Sequence, residues 1–302
     1  MRDYAEFALG WLALQSLQWT PLAFAHRLSR AYVRAIDLSL PRLRRVATRN
    51  ISLALPELTR EQQAAIVAGV FRSLARVLVA LAKFPSIHRD NLSRWIRFEG
   101  YEHFENAQRA GHGVLFATAH LGNWELSAYA HALISGPMSV VVRPLDNPLL
   151  DRLVTRRREL SGNRVISKRD PARPILKALA ANQAVGVLID QNTSDGGVFV
   201  DFFGIPAAAG SGFAKLAARS GAAVIPGFAL WNDKERRYVL RFYPPVAMSG
   251  DAMRDTQALQ DILEMVVRAH PDQWLWIHRR WKTRPPGGEP LYSSSRNSAW
   301  ES

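Results

Sequence analysis

Apolar residues recur along this chain first at helical spacing and later in short runs, and that change of period outlines the fold. Residues 7–25 carry no charge over 19 positions, but Gln15, Ser16, Gln18 and Thr20 interrupt the run and Pro21 breaks a helix there. The stretch is borderline for a membrane span. Behind it, Arg27, Arg30 and Arg34 fall on one helical face and Arg42, Arg44, Arg45 and Arg49 follow, opposed only by Asp37. A basic amphipathic helix after an apolar one predicts an interfacial anchor, because guanidinium groups near headgroups attract anionic lipid. An ordinary solvated helix face is the plainer reading of the same arginines. Thr59 and Gln62 then form a capping box, and Val67, Val70, Phe71, Leu74, Val77, Leu78 and Leu81 predict one long packed helix before Pro85.

From there, short apolar runs alternate with helical patterns. Strands are expected near 96–99, 114–116, 139–142, 164–166, 184–190, 197–202, 223–230 and 238–242, with helices near 101–110, 148–160, 171–181, 212–219 and 255–268 and one starting near Asn123. Such alternation predicts an α/β fold: a mixed, mostly parallel central sheet flanked by helices on both faces, preceded by an N-terminal helical membrane-associating segment. The expected organisation is an anchor over residues 1–50, a catalytic domain over 51–285 and, from its Gly, Ser and Asn content, a disordered tail over 286–302.

Composition narrows the partners without choosing among them. A net charge of +13 suits nucleic acid, an anionic membrane, phosphorylated substrates or an acidic carrier protein. The chain has no cysteine, which excludes disulfides, thiolate metal sites and a cysteine nucleophile.

The chemistry concentrates at two strand ends. The run Gly113–Phe116 leads to His120, and Gly122 and Asn123 offer a turn and a helix N-cap, so Glu125 falls in the first helical turn. Imidazole accepts a proton near neutral pH, and a carboxylate beside it fixes its tautomer and stabilises its charged form. Spacing alone is weak support: eight histidines and 26 acids in 302 residues give roughly 0.7 His-x4-acid pairs by chance. The second strand, AVGVLID, ends at Asp190, which could reach the same sheet edge as His120. Asp190-x-Asn192-x-Ser194 resembles a calcium loop, but Asp195 stands where that loop needs glycine, so no metal is expected. Gly210-Ser211-Gly212 at a helix start suits either an anion or close packing. The segment WLWIHRRWKTRP, 274–285, offers three tryptophans and four cations for nucleic acid, a membrane interface, a phosphorylated ligand or a plain core. There is no GxSxG elbow, Walker-type loop, repeat or metal-spaced histidine pair.

Taken together, AHLGNWE with His120 and Glu125, VVRPLDNP (141–148), GVFVDFFG (197–204), the C-terminal QWLWIHRRWKTRP and the early RNISLALPEL (49–58) resemble the bacterial late acyltransferases of lipid A biosynthesis. These belong to the wider His-x4-Asp/Glu glycerolipid acyltransferases, and the similarity spans roughly residues 30–285. The resemblance implies transfer of a fatty acyl chain from a thioester, on acyl carrier protein or coenzyme A, to a hydroxyl of a membrane glycolipid such as a lipid A precursor. A phosphoinositide mannoside or another lysolipid is the alternative acceptor, and a basic nucleic-acid-binding protein is the rival from another class, although no nucleic acid is expected. It further implies His120 as general base, with Glu125, Asp190 or both orienting it, and Asn123 as helix cap or oxyanion donor. Arg143 is the leading candidate for an acceptor phosphate, with Arg158 and Arg164 behind it, and Phe202, Phe203 and Gly204 are expected to shape the acceptor or acyl site. No cofactor is expected beyond the thioester co-substrate. The expected location is the inner membrane, with the catalytic part on its cytoplasmic side.

Overall fold

Pro21 sets the first boundary in the chain. α1 (Arg2–Trp19) stops just before it and α2 (Leu22–Ser39) starts directly after it, while Pro41 opens α3 (Pro41–Ala54) at the position where a missing N–H costs nothing. A computed structural model describes residues 1–292. α4 (Arg60–Lys83) begins with the expected Thr59–Gln62 capping box. Small residues let α2 lie close on α4: Ala25, Ser29 and Val33 are buried, and Ser29 Oγ donates to the Ala75 carbonyl at 2.8 Å. Lys83 Nζ donates to the carbonyls of Gln18 and Thr20 at 2.7 and 2.6 Å, closing the end of α1. The boundary expected near residue 50 therefore falls inside the core, since Leu14, Leu17 and Ala25 share one apolar cluster with Val79 and Phe84. Among the described residues, the helix of 60–86 alone is long and apolar enough to cross a membrane, and 61% of its most apolar window is buried inside the protein.

The alternating region then forms β1 (Ile96–Glu99), α5 (Tyr101–Ala110), β2 (Val114–Thr118), α6 (Trp124–Ser135), β3 (Ser139–Val142), α7 (Pro148–Glu159), β4 (Arg164–Ser167), α8 (Ala172–Ala180) and β5 (Ala184–Leu188). A hairpin of β6 (Gly197–Phe202) and β7 (Ile205–Gly210) follows, then α9 (Gly212–Ser220), β8 (Ala223–Asn232), β9 (Arg237–Phe242) and α10 (Ala252–Ala269). Seven strands make one sheet in the order β1-β9-β8-β2-β5-β3-β4. Pairings are parallel except between β8 and β9, so β1 and β9 run against the other five strands.

Side-chain alternation along β2 divides the interior into two layers. Val114 and Phe116 face α4, α5 and α6, whereas Leu115 and Ala117 face α8 and α9. A third cluster caps the C-terminal end of the sheet, where Trp274, Trp276 and Trp281 are almost wholly buried against α3, α4, α10 and the β6–β7 hairpin. The three tryptophans are core, which removes their expected use as a surface for bases or lipid. The expected tail begins at Pro286, but Tyr292 donates to Asn50 Oδ1 at 2.7 Å and Arg49 Nε donates to the Leu291 carbonyl at 3.0 Å, so that end of the described chain packs on α3. Residues 293–302 of the expected tail lie outside the described residues.

Candidate active site

The turn after β2 is built so that His120 cannot wander. Gly122 has φ +64°, and a Cβ there would fall 1.9 Å from the Ala229 carbonyl oxygen, so only glycine fits. Asn123 follows with its N–H donating to that same carbonyl at 2.9 Å, and its Oδ1 accepts from Leu126 N at 2.9 Å, which starts α6. The tryptophan segment grips the turn from the other side: Gly122 N donates to the Gln273 carbonyl and Leu275 N to the His120 carbonyl, both at 2.9 Å.

β2 and β5 are adjacent and parallel, so their C-terminal ends deliver His120 and Asp190 to one place. His120 Nδ1 lies 2.9 Å from Asp190 Oδ1, and the His120 backbone N–H donates to Oδ2 at 2.9 Å. Trp274 Nε1 also donates to Oδ2, at 3.0 Å. Burial by itself would raise the proton affinity of the Asp190 carboxyl, but the charge and hydrogen bonds of His120 and the Trp274 bond overcome it and hold the group well below the carboxylate range. For His120, burial pulls the imidazole pKa down, yet the Asp190 charge and hydrogen bond outweigh it and the net shift is upward. With Nδ1–H committed to an ionised carboxylate, the lone pair sits on Nε2.

His120 lines a cleft of about 550 Å³ shared with Trp124, Arg143, Lys168, Asn192 and Phe213. A second, narrow and largely apolar slot of about 70 Å³ adjoins it, between Phe116, Tyr129, His131, Met138, Gly186 and Phe242. Glu125 and Arg158 border both spaces and join in a two-pronged ion pair, with Arg158 Nη2 at 2.6 Å and Nε at 2.9 Å from the carboxylate oxygens. Glu125 is therefore spent on Arg158 and adds only through-space attraction to the His120 proton. Such geometry suits a base that takes a hydroxyl proton beside an apolar slot.

Comparison with known proteins agrees. A profile of the family described as bacterial lipid A biosynthesis acyltransferase matches residues 1–283. The chain belongs to this family. It is similar to a lipid A biosynthesis palmitoleoyltransferase of Escherichia coli strain K12, 31% identical over 237 residues that cover 77% of this chain and 76% of that one. It is similar also to a lipid A biosynthesis acyltransferase of Haemophilus influenzae, 28% identical over 78% of this chain and 74% of the other. A phosphatidylinositol mannoside acyltransferase of Mycobacterium tuberculosis is 28% identical over 72% and 70%.

Several residues expected in the site of this acyltransferase lie elsewhere. Phe202 and Phe203 are buried against Trp274, Trp276 and Trp281, and the Phe203-Gly204 pair, with φ +60° and +71°, is the tight turn of the β6–β7 hairpin. That sequence is apolar because it closes a hairpin over the tryptophan core. Arg164 stands at the N-terminal end of β4, away from the edge where parallel strands present chemistry, and its side chain is solvated. Asn123 is fully buried as a helix cap and does not line the cleft, so it has no place as an oxyanion donor. Arg158 sits at the cleft but is committed to Glu125. Arg143 stands on the cleft wall, well exposed and 3.1 Å from Asp146. Trp274 and Lys168 were not anticipated. The position of Lys168, directly after β4 at its C-terminal end, was a usable signal, whereas the Trp274 contact with Asp190 joins residues 84 apart and had none.

Proposed function

We propose that this acyltransferase moves a fatty acyl chain from a thioester to a hydroxyl of a membrane glycolipid, with His120 Nε2 as general base. The observation that supports it is the His120–Asp190 pair at 2.9 Å, opening on a cleft that continues into an apolar slot. In this reading the acceptor O–H gives its proton to Nε2 as its oxygen attacks the thioester carbonyl. The C–S bond then breaks, the acyl ester forms, and the imidazolium returns its proton to the leaving thiolate. Asp190 stays ionised and stabilises the imidazolium, as its depressed pKa suits it to do. The acyl chain lies in the slot, and its carbonyl passes the Glu125–Arg158 pair at the junction of slot and cleft. Arg143 and Lys168 on the cleft wall are the cations available to an acceptor phosphate.

The acceptor class is a lipid A precursor, by similarity to the relatives, with a phosphoinositide mannoside as the related alternative. The donor is acyl carrier protein or coenzyme A, and the thioester is a co-substrate with no further cofactor. Exposed apolar side chains on α1 and the basic faces of α2 and α3 support association with the inner membrane, site toward the cytoplasm where thioesters are made. A nucleic-acid role finds no support in tryptophans that are 0–1% exposed. The test is transfer of labelled acyl chain from thioester to lipid by the purified protein. His120→Ala is expected to abolish it, and transfer persisting at the wild-type rate, or acid release independent of any lipid acceptor, would overturn the proposal.

A further inference from the structure

A second basic hollow lies away from the His120 cleft, between the first half of α2, the middle of α4 and the β8–β9 turn. Arg27, Arg30, Arg72, Arg76, Arg236 and His26 line its roughly 500 Å³. Among the described residues that line it, Asp233 is the one acid, and its largely exposed carboxylate reaches Arg76 at only 3.4 Å. Arg76 is stacked over the Trp231 ring, 4.6 Å from its centroid, so its charge is held in place. Burial, then the charges of Arg76, Arg30 and Arg236, push the His26 imidazole pKa down. Five arginines gathered in a concave site with one exposed acid among them repel one another, and a bound anion relieves that repulsion.

The edge of the hollow is apolar. Trp19, Leu22 and Phe24, at the elbow between α1 and α2, are 80%, 44% and 56% exposed, and Arg27 lies 5.5 Å from the Phe24 ring centroid. Leu9 and Leu12 continue an exposed apolar stripe along α1. Anion-binding arginines inside an apolar rim match a lipid, with its phosphate among the cations and its chains beside the elbow. An acidic protein helix would meet the cations but leave Trp19, Leu22 and Phe24 in water.

We infer that the hollow lined by His26, Arg30, Arg72, Arg76 and Arg236 seats the phosphate of an anionic phospholipid headgroup and docks the α1–α2 elbow on the bilayer. The inference rests on the membrane association proposed above, and its test separates the two. Binding of the full chain to vesicles of phosphatidylglycerol in phosphatidylcholine is compared by co-sedimentation with that of three variants. Each arginine at an anionic surface is worth roughly fivefold in affinity, so Arg30→Gln/Arg72→Gln/Arg236→Gln is expected to lose on the order of 100-fold. A control, Arg34→Gln/Arg42→Gln/Arg45→Gln, removes equal charge from the far end of α2 and from α3, away from the docked elbow, where the attraction of the surface falls off with distance, and is expected to lose far less. Trp19→Asn/Phe24→Asn reports the elbow and is expected to weaken binding to all vesicles. The three hollow arginines are exposed and outside the catalytic cleft, so folding and transfer to detergent-dispersed acceptor are expected to persist. Equal losses in hollow and control variants mean diffuse charge and overturn the site. Wild-type vesicle binding by the hollow variant, with the elbow variant impaired, overturns the site and leaves membrane association standing. Wild-type binding by both overturns both. A hollow variant that binds vesicles normally but fails to bind acyl carrier protein also overturns the inference, by assigning the cations to that partner.

Discussion

Replacing Asp190 with asparagine takes one negative charge out of the site and leaves its volume almost unchanged. The native carboxylate accepts three N–H bonds, from the His120 ring, the His120 backbone and the Trp274 ring, at 2.9, 2.9 and 3.0 Å. Asparagine keeps one acceptor oxygen and turns an NH2 toward at least one of those donors. A buried donor left unsatisfied costs about 1–3 kcal/mol, so the variant is expected to fold with reduced stability. Its chemistry suffers more. Nδ1–H of His120 is no longer fixed and the imidazolium loses its counter-charge, and an Asp→Asn change in a comparable His–Asp pair costs about 10⁴-fold in turnover. Here a loss on the order of 10³–10⁴ is expected. The pH profile gives the sharper test. Burial pulls the His120 pKa down and Asp190 more than restores it, so the native acid limb lies above the ordinary 6.5. A base acts only when deprotonated, so activity rises with pH through that limb; without Asp190, only the through-space attraction of Glu125 still opposes burial, and the limb moves to lower pH. The depressed pKa of Asp190 means its contribution to folding is complete above the ordinary carboxylate range and is lost only in stronger acid, so acid unfolding does not distort the comparison. The assay is the initial rate of acyl transfer to detergent-dispersed acceptor between roughly pH 5 and 9. A variant within tenfold of wild type whose limb has not moved would show that Asp190 does not hold the ring.

Glu125→Gln leaves Arg158 unpaired in a largely buried site, so it is expected to lose about 3 kcal/mol in urea unfolding, while Glu125→Gln/Arg158→Met recovers most of it; equal instability of the two contradicts the pairing. The rate loss of Glu125→Gln is expected to be smaller than that of Asp190→Asn, because Glu125 makes no hydrogen bond to His120. Gly122→Ala drives a methyl into the Ala229 carbonyl and is expected to lower both melting temperature and turnover; wild-type values for both would refute the turn geometry. His131, fully buried among Phe104, Phe116 and Phe242, has its pKa pushed down to about 3. The unfolded chain takes up that proton near 6.5 and the folded one refuses it, so stability falls between these values as pH drops, by about 1.4 kcal/mol per pH unit. Urea unfolding across that range is expected to show a shallower slope for His131→Phe, and an unchanged slope would rule out a buried neutral imidazole.

Local signals were strong wherever a single element had to satisfy its own backbone. Thr59–Gln62 and Asn123 mark helix starts and Pro21 the helix break that the sequence predicts, because capping and proline geometry act within four residues. β1 and β3 fall at the expected residues: IRFE alternates apolar and charged positions on a half-buried edge strand, and SVVV is a β-branched run. β7 was not expected. Its IPAAAG is too weakly patterned to announce a strand, and it becomes one by pairing with β6 across the Phe203-Gly204 turn.

The sequence by itself determined the α/β architecture, the family, and the presence of a histidine and an aspartate at two strand ends. Only the tertiary structure decided which acid serves His120. Glu125 is five residues away along the chain, but the first turn of α6 points its carboxylate at Arg158, while the parallel pairing of β2 with β5 brings Asp190 across 70 residues to 2.9 Å. Likewise a segment rich in tryptophan and arginine proved to be the buried clamp on that aspartate. Periodicity reports which faces are buried, whereas partner choice depends on strand order and side-chain direction, and neither is written in the spacing of residues along the chain.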